Sequence, residues 1–412
     1  MGLTSTQRDG RGVAILGSTG SVGTSALDLV ARLNDMGGDG ATRFRIVAIS
    51  GNRSVDVLAD QIKRFSPLVA CIGDEAGARA LKARLGATDT RIVSGREGLL
   101  EVATHPEASF VLAAIVGAAG LEPTFAAVSA GRKVGLANKE ALVLAGDLMM
   151  KAAHDSGAVL LPVDSEHNAL HQCLRGESIT EVRRLVLTAS GGPFLAQPGK
   201  DLTTVTPEEA LAHPTWTMGR KISIDSATLM NKALEVIEAH HLFGVPSSRI
   251  EVVIHPQSTI HSMVEFVDGS FVCQLGATDM RHPIQYALTW PERCDTPLDP
   301  VDLTRLAALR FEQPDRDRFP CLAFGWRALT AGGTMPAALN AANEIAVEAF
   351  LERRIRFVDI PRIIEAVLAA HRPVAARSLE TILHADGEAR RAAIEESRRY
   401  TAAGAGRTGG DH

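Results

Sequence analysis

The stretch VAILGSTGSVGTSALDLV, residues 13–30, places three glycines between an apolar run and a helical pattern. Gly17, Gly20 and Gly23 follow a predicted strand directly and open a predicted helix. Glycines at such a turn let the backbone approach a pyrophosphate, and the N-terminus of the helix favours its negative charge. The spacing G-x-x-G-x-x-G is close to the G-x-G-x-x-G of dinucleotide-binding folds. The stretch predicts a dinucleotide site; the alternative is a tight turn that binds nothing.

Strand-like and helix-like patterns alternate from this stretch to about residue 163. Such alternation predicts an α/β fold with a doubly wound parallel sheet of the Rossmann-like kind. The predicted strands are residues 13–16, 45–50, 68–72, 110–115, 133–137 and 159–163. The predicted helices are residues 25–33, 55–65, 75–85, 123–130 and 140–155.

The pattern changes beyond residue 164. A strand at 185–189, a helix at 226–243 and a hairpin about Asp268 and Gly269 indicate an α+β domain. Four further helices are predicted at 321–331, 336–354, 360–371 and 378–400, which would form a small bundle. The predicted division is a dinucleotide-binding domain at 1–163, a central α+β domain at 164–290, a polar, proline-rich linker at 291–320, a helical domain at 321–404 and a disordered tail at 405–412.

Composition limits the class of protein. The 412 residues carry a net charge of −5 with a pI near 6.2, which argues against a nucleic-acid-binding protein. Five scattered cysteines without a C-x-x-C pair favour a reducing compartment over a disulfide framework. The first residues, MGLTSTQRDGRG, lack the apolar segment of a signal peptide, and no run of about 18 apolar residues predicts a membrane span. We therefore expect a cytoplasmic protein that does not enter a membrane.

The residues after the second predicted strand indicate which cofactor the glycine-rich turn binds. NAD enzymes usually carry an acid there, which binds the 2′-hydroxyl of the ribose. Here the sequence is SGNRS at residues 50–54, without an acid, and Arg53 offers a cation to a 2′-phosphate. The pattern favours NADPH over NADH; the alternative is that Arg53 is a solvated loop charge.

Two carboxylates crowd the end of the last predicted strand of this domain, in LLPVDSEHNA at residues 160–169. Ligands bind at the carboxyl ends of parallel strands, and Asp164 and Glu166 repel each other unless a cation lies between them. Their oxygens, with that of Ser165, suit Mg²⁺ or Mn²⁺ rather than zinc. The alternative is a helix N-cap, in which Asp164 or Ser165 caps a helix through residues 167–173.

A second polar group lies on one helical face in KISIDSATLMNKALEVIEAHH, residues 221–241. Asn231 and Glu235 are four residues apart and Lys232 and Glu235 three, so the three side chains share a face. This mixture of amide, ammonium and carboxylate is a candidate binding site. The alternative is a surface ion pair between Lys232 and Glu235, which would contribute little stability.

Other local signals are weaker. Asp225 and Ser226 form a good N-cap pair for the helix predicted after them. Trp216 lies in a segment bounded by glycine and proline, which is typical of the tip of a lid, although it could also be a core residue. His255 and His261 are interpreted as structural histidines rather than ligands.

Six motifs occur together and in order: GSTGSVG, LANKEAL, PVDSEHNA, TASGGPF, HPTWTMGRKISIDSATLMNKALEVIEAHHLF and IHPQSTIHSMV. Together they closely resemble the 1-deoxy-D-xylulose 5-phosphate reductoisomerases of the methylerythritol phosphate pathway to isoprenoids. The resemblance spans residues 13–400, and the blocks around Asp164 and Asn231 are its most specific parts. It implies a homodimer with an N-terminal NADPH-binding domain, a central catalytic and dimerisation domain and a C-terminal helical domain.

The resemblance also implies a role for each matching residue. The implied metal ligands are Asp164, Glu166 and Glu235, which with Lys139 are also the implied catalytic residues. The implied substrate contacts are Lys139, Ser165, Glu166, Ser190, His213, Trp216, Ser226, Asn231, Lys232 and Glu235. The implied NADPH contacts are Thr19, Gly20, Ser21, Val22, Gly51, Asn52, Arg53, Asn138, Glu140 and Gly219. His213 and Trp216 would belong to a closing loop.

The implied substrate is a five-carbon ketose phosphate, 1-deoxy-D-xylulose 5-phosphate. Mg²⁺ or Mn²⁺ would chelate its carbonyl and adjacent hydroxyl oxygens while a carbon–carbon bond breaks and re-forms in a retro-aldol and aldol sequence. NADPH would then reduce the branched aldehyde to 2-C-methyl-D-erythritol 4-phosphate. Two other classes stay open: a simple NADP-dependent dehydrogenase, which needs no three-carboxylate metal site, and an NADPH-binding protein without turnover.

Overall fold

The structure is a computed structural model and describes residues 10–37, 43–216, 218–306 and 308–405. The chain divides into two compact units. The first contains the described residues up to Ala141, Met149–Asn168 and Asp279–Val301, and the second contains Leu142–Leu148, Ala169–Thr278 and the described residues from Asp302 onwards. The five-part division drawn from the sequence stays a prediction. The start of the chain that was inspected for a signal peptide, up to residue 9, and the tail from residue 406 lie outside the described residues.

A seven-stranded parallel sheet in the first unit confirms the predicted doubly wound fold. Its strands are β1 (Arg11–Leu16), β2 (Phe44–Ser50), β3 (Val69–Ile72), β4 (Arg91–Ser94), β5 (Phe110–Ala113), β6 (Lys133–Leu136) and β7 (Val159–Pro162). The order β4-β3-β2-β1-β5-β6-β7 changes direction at β1, where dinucleotides bind in such sheets. β4 was not predicted from the sequence, because its four residues are too few to show a clear apolar pattern and are only partly buried at the sheet edge.

A four-stranded mixed sheet lies in the second unit. Its strands are β8 (Val182–Ala189), β9 (Ile250–Ile254), β10 (Ile260–Phe266) and β11 (Phe271–Leu275). In the order β11-β10-β8-β9, β8 and β9 are parallel, and β10 is antiparallel to β8 and β11. β10 and β11 form the predicted hairpin, and Gly269 in its turn has a φ of +87°, the left-handed backbone that glycine favours.

The helices agree with most of the predicted ones, with additional short helices between them. They are α1 (Ser21–Met36), α2 (Val55–Phe65), α3 (Glu75–Leu85), α4 (Gly95–Thr104), α5 (Leu121–Ser129), α6 (Lys139–Ser156), α7 (Ser165–Cys173), α8 (Pro207–Leu211), α9 (Arg220–Ala227), α10 (Met230–Phe243), α11 (Arg281–Thr289), α12 (Phe324–Ala331), α13 (Met335–Leu351), α14 (Asp359–Ala370) and α15 (Leu379–Ala405). Within the described part of the chain, no helix has the length and apolar character needed to span a bilayer.

The core of the first unit lies between the parallel sheet and its helices. Ile15 of β1 and Ile49 of β2 belong to one apolar cluster with Leu29 of α1 and Ile284 of α11, and all four side chains are fully buried. Burial of each such side chain contributes about 1.5–3 kcal/mol to stability. This core holds β1 and α1 in place and therefore positions the glycine-rich turn between them.

The long helix predicted after Asp225 and Ser226 is interrupted in the structure. Leu229 has a left-handed backbone with a φ of 59°, so α9 and α10 are separate helices. The hydroxyl of Thr228 donates to the Ile224 carbonyl oxygen at 3.0 Å and completes the last turn of α9. The predicted N-cap pair is therefore wrong, because Asp225 and Ser226 lie inside α9.

The C-terminal helices confirm the predicted helical part of the chain. α13 packs against α14 and α15, and α12 packs against α10. The predicted linker is partly structured: Glu312 forms an isolated antiparallel bridge with Ile254 of β9. The next residue, His255, is fully buried, and its Nδ1 lies 2.8 Å from the Arg310 carbonyl oxygen, in agreement with its interpretation as a structural histidine.

Candidate functional site

The glycine-rich turn between β1 and α1 is packed too tightly for side chains at two of its glycines. Gly17 has a φ of +84°, in the left-handed region. A Cβ on Gly23 would lie 2.4 Å from the Gly17 carbonyl oxygen and 2.5 Å from the Ser18 Cα. α1 therefore starts directly against the turn, and the exposed Gly20 and Ser21 begin its first turn. Free N–H groups at a helix start are a site for an anion such as a pyrophosphate.

The end of β2 is bound to this turn by buried polar contacts. Gly17 N–H donates to Ser50 Oγ at 2.9 Å. Ser18 Oγ donates to Gln61 Oε1 at 2.6 Å, and Gln61 Nε2 donates back to the Ser18 carbonyl oxygen at 2.8 Å. The roles of Ser50 and Gln61 in positioning the turn were not predicted from the sequence. The available signal was a polar side chain, Gln61, on the buried face of α2.

The predicted cofactor residues after β2 lie beside the turn. A Cβ on Gly51 would lie 3.0 Å from the Thr19 methyl carbon, so these two residues are neighbours. Asn52 and Arg53 are exposed, and Val22 in α1 is half-buried. Within the described residues, the structure records no hydrogen bond or ion pair for the Arg53 guanidinium, which leaves its donors available to a ligand.

Asn138 and Glu140 are buried at the start of α6. Asn138 Oδ1 accepts from Ala141 N–H at 2.9 Å and caps the helix, while its Nδ2 donates to the carbonyl oxygens of Ile115 and Gly117. The side chain of Asn138 therefore joins α6 to the loop after β5. The predicted contact of Asn138 with NADPH would have to use polar atoms of Asn138 that these hydrogen bonds leave available. Gly219, the last predicted cofactor residue, is the exposed N-cap of α9 in the second unit.

An acidic cluster lies at the carboxyl end of β7 in the first unit. Asp164 follows the strand, and Ser165 begins α7. Carboxylate oxygens of Asp164 and Glu166 lie within 4.8 Å of each other, and Ser165 Oγ donates to Glu166 Oε2 at 2.6 Å. Lys139 Nζ lies 2.5 Å from Asp164 Oδ2, with both side chains largely buried. The carboxylates of Asp164 and Glu166 are hard oxygen donors, which fit Mg²⁺ or Mn²⁺.

The polar group on α10 is buried in the second unit, so the surface ion-pair alternative is wrong. Glu235 is fully buried and Lys232 is 5 % exposed. Glu235 accepts from Asn231 Nδ2 at 2.5 Å and from Lys232 Nζ at 2.6 Å. A buried carboxylate needs such partners, because removing one partner of a buried pair typically costs about 3–5 kcal/mol. The three residues that share a helix face in the sequence are therefore one hydrogen-bonded unit.

His213 and Ser190 meet in the second unit, at 2.8 Å between Nε2 and Oγ. Backbone N–H groups of Thr215 and Trp216 donate to His213 Nδ1 at 3.2 and 3.0 Å, which assigns the ring proton to Nε2. Burial, with the charge of Lys232, lowers the pKa of His213 and favours this neutral form. Ser190 Oγ also accepts from Gly192 N–H at 3.2 Å. With both lone pairs of Ser190 engaged, its own proton remains for an acceptor such as a phosphate oxygen.

Trp216 and Ser226 occupy different places in the second unit. Trp216 is half-exposed, and its ring lies 6.3 Å from that of His261, so it is not the core residue of the alternative interpretation. Ser226 is half-buried in α9. Its neighbour Asp225 accepts from Asn343 Nδ2 at 2.8 Å and pairs with Lys221 Nζ at 2.9 Å. Asp225 therefore anchors α9, a role that the predicted cap did not reveal.

Comparisons with known proteins identify one family along most of the chain. Three family descriptions match: "1-deoxy-D-xylulose 5-phosphate reductoisomerase" at residues 13–146, its "C-terminal domain" at 160–243, and "DXP reductoisomerase C-terminal domain" at 275–392. The 1-deoxy-D-xylulose 5-phosphate reductoisomerase of Symbiobacterium thermophilum is 54% identical over 94% of this chain and 98% of its own. That of Anaeromyxobacter dehalogenans is 54% identical over 92% and 96%.

Solved structures give the same result. The 1-deoxy-D-xylulose 5-phosphate reductoisomerase of Zymomonas mobilis in complex with NADPH has a TM-score of 0.86 and 46% identity, covering 94% of this chain and 99% of its own. A DOX-P reductoisomerase in complex with NADPH, fosmidomycin and magnesium has a TM-score of 0.88 and 43% identity, covering 94% and 98%. With matches that span nearly the whole sequence, this chain belongs to the 1-deoxy-D-xylulose 5-phosphate reductoisomerase family.

Proposed function

We propose that the chain converts 1-deoxy-D-xylulose 5-phosphate to 2-C-methyl-D-erythritol 4-phosphate with NADPH and a divalent cation, as a step of isoprenoid precursor synthesis. The observation that carries the proposal is the 54% identity to reductoisomerases over 94% of the chain. The polar groups described above support it, because they are chemically suited to a cation, a phosphate and a dinucleotide.

NADPH is assigned to the glycine-rich turn of the first unit. When bound, it supplies the hydride that reduces the branched aldehyde. The first turn of α1, with Thr19 to Val22, would hold the pyrophosphate, because its N–H groups point out of the helix. Gly51, Asn52 and Arg53 would hold the ribose and its 2′-phosphate, with Arg53 as the exposed cation. We assign Asn138, Glu140 and Gly219 to the same cofactor.

Replacing Arg53 by aspartate should shift cofactor preference from NADPH toward NADH. The change removes a guanidinium that pairs with the 2′-phosphate and adds a repelling carboxylate. We expect the ratio of kcat/KM for NADPH to kcat/KM for NADH to fall about tenfold or more. Arg79→Asp is the matched control, because Arg79 is an exposed arginine of the same unit on α3. An unaltered ratio would show that other groups read the 2′-phosphate.

The divalent cation is assigned to Asp164, Glu166 and Glu235. When bound, Mg²⁺ or Mn²⁺ supplies a Lewis acid for the oxygens of the substrate. Asp164 and Glu166 bring carboxylate oxygens within 4.8 Å of each other, and such hard oxygens are the ligands that Mg²⁺ and Mn²⁺ prefer. Glu235 already accepts hydrogen bonds from Lys232 and Asn231 and would be the third ligand.

The phosphate of the substrate is assigned to Ser190, Ser226, Asn231 and Lys232. The neutral His213 orients the Ser190 hydroxyl as a donor, and Lys232 adds a buried positive charge. Ser165 and Lys139 would contact the sugar. Binding energy from the remote phosphate can orient the reacting carbons, and exclusion of water protects the enolate formed when the carbon–carbon bond breaks.

Trp216→Ala tests the closing-loop role of the segment from His213 to Met218. Trp216 is half-exposed, so its loss should leave the unfolding temperature nearly unchanged. We expect KM for the sugar phosphate to rise about tenfold, because the loop loses the ring that would cover the substrate. Trp216→Phe keeps an aromatic ring and should retain most of the affinity. Unchanged kinetics in Trp216→Ala would remove Trp216 from the site.

The whole reaction is tested by mixing the protein with 1-deoxy-D-xylulose 5-phosphate, NADPH and Mg²⁺ and following the absorbance of the reduced nicotinamide. We expect a fall that needs the sugar phosphate and stops when EDTA removes the cation. Mass spectrometry and NMR should then identify a branched tetritol phosphate. An unbranched alcohol whose formation resists EDTA would favour the simple dehydrogenase, and bound NADPH without turnover would favour the binding protein.

We also propose a homodimer that pairs through β11. This strand is at the edge of its sheet, and Phe271 and Val272, which point to opposite faces, are 51 % and 40 % exposed. Exposed apolar edge strands are usually covered in the native assembly. Phe271→Lys should shift the mass measured by light scattering from dimer to monomer, and Ile394→Lys, an exposed apolar position on α15, should not. A wild-type monomer at micromolar concentration would contradict the assignment.

The cytoplasm is the compartment we propose. All five cysteines are free thiols in the structure, as expected for a protein of a reducing compartment. Recovery of the protein in the soluble cytosolic fraction, with five titratable thiols after denaturation, is the expected result. Thiols lost to disulfide bonds in the freshly isolated protein would argue for an oxidising compartment.

A further inference from the structure

A cavity of about 690 Å³ lies within the second unit, outside the groups that the proposed function uses. It is formed by α12, α14 and the segment that precedes α12. Its volume is in the range of sites for small organic ligands, roughly 300–1,000 Å³. The reaction proposed above requires no ligand at this place.

The floor of the cavity is apolar and rigid. Phe319, Phe324 and Phe357 line it, and each is at most 4 % exposed. Phe357 is fixed by edge-on contacts with Phe194 and Phe350, at centroid distances of 5.4 and 5.7 Å. Such a floor accepts an apolar body without rearrangement, because the aromatic side chains are already held in place.

The rim of the cavity carries four arginines, and two of them are already neutralised. Arg327 Nη2 lies 2.8 Å from Glu365 Oε1, and Arg362 Nη1 lies 3.1 Å from Asp359 Oδ1. These two pairs close one side of the rim and contribute little net charge.

The other two arginines of the rim retain donors. Arg316 has its guanidinium 5.5 Å from the centre of the Trp326 ring, and Arg318 donates to the Gln197 carbonyl oxygen at 3.0 Å. Within the part of the chain that the structure describes, neither guanidinium has a carboxylate within ion-pairing distance. Asp317 also lines the cavity and offsets one of the two charges, so the lining on this side carries a net positive charge. Asp315, which accepts from the backbone N–H of Arg318 at 3.0 Å, is outside the lining. A guanidinium has five N–H donors, most of which remain for an anion.

We propose that this cavity is a binding site for an amphipathic anion, an apolar ring or branched chain that carries one phosphate, sulfonate or carboxylate group. The apolar body lies on the three phenylalanines, and the anionic group pairs with Arg316 and Arg318. Burial strongly raises the pKa of the Cys321 thiol in the cavity wall, so the wall adds no negative charge.

The fluorescent probe 8-anilinonaphthalene-1-sulfonate has this chemistry and tests the proposal on the full-length protein. We expect saturable binding by one equivalent of probe, weakened about tenfold in Arg316→Glu and in Arg318→Glu. Arg398→Glu, on an exposed face of α15, is the matched charge control and should bind as the wild type does. Ala366→Trp, which fills the cavity from α14, should abolish the fluorescence increase.

A second probe separates the anionic group from the apolar body. The neutral N-phenyl-1-naphthylamine has the same aromatic rings as 8-anilinonaphthalene-1-sulfonate but no anionic group. We expect it to bind at least tenfold more weakly than the sulfonate probe. Equal affinity for the two probes, or sulfonate binding that survives both arginine reversals, would overturn the proposal. Because Arg316 is exposed and Arg318 only half-buried, both variants should fold, and an unchanged unfolding temperature verifies this.

Discussion

Replacing Glu235 by glutamine should lower kcat about a hundredfold or more and weaken Mg²⁺ binding by a similar factor, while NADPH binding stays near the wild-type value. Glutamine has the same shape but carries no charge, so it removes one of three anionic ligands from the proposed cation. It also leaves the buried Lys232 ammonium without its carboxylate partner at 2.6 Å, so we expect a lower unfolding temperature as well.

Asp359→Asn is the matched control for this variant. Asp359 is also a buried carboxylate of the second unit with a cationic partner, Arg362, but it lies on α14 and is not among the proposed ligands. We expect Asp359→Asn to retain Mg²⁺ affinity even where stability falls. Activity of Glu235→Gln within about threefold of the wild type would remove Glu235 from the ligand set.

Replacing Gly23 by alanine should abolish tight NADPH binding and destabilise the first unit. The added methyl group would lie 2.4 Å from the Gly17 carbonyl oxygen and 2.5 Å from the Ser18 Cα, and neither backbone atom can move without opening the turn. Overpacking of this kind costs about 1–3 kcal/mol. We expect KM for NADPH to rise at least about thirtyfold, measured together with thermal unfolding.

Gly20→Ala is the control within the same turn. Gly20 is exposed, has a φ of −80° and would place its Cβ 3.4 Å from the nearest atom, an ordinary contact. We expect this variant to unfold at the wild-type temperature. A Gly23→Ala protein with wild-type stability and wild-type KM for NADPH would show that the turn tolerates a side chain at this position and would contradict the prediction.

The central strands of the parallel sheet were predictable because buried parallel strands are continuous apolar runs bounded by turn residues. β1 and β2 show such runs, and both were placed correctly within two residues. The pattern is absent in β4, which is exposed at its first residue and only half-buried afterwards. Edge strands of this kind form because they pair with a neighbouring strand, and a single sequence does not show that pairing.

The residues of the candidate site could be predicted from the sequence, but their burial could not. Spacing placed Asn231, Lys232 and Glu235 on one helix face, and the structure joins them by hydrogen bonds. Residue spacing of i,i+3 and i,i+4 shows that side chains share a face, but it does not show whether tertiary packing buries that face. The surface alternative therefore stayed open. The break at Leu229 was invisible for a similar reason, because a left-handed leucine is stabilised by its tertiary burial and not by its own preference.

We propose that Asp164, Glu166 and Glu235 bind one divalent cation that turnover requires. A titration of the metal-free enzyme with Mn²⁺ tests this, with bound ion followed by electron paramagnetic resonance, in the wild type and in Asp164→Asn, Glu166→Gln, Glu235→Gln and Asp359→Asn. We expect one tight ion per chain in the wild type and in Asp359→Asn, and at least tenfold weaker binding in the other three variants. Wild-type Mn²⁺ affinity in Glu235→Gln, or full turnover of the metal-free enzyme, would contradict it.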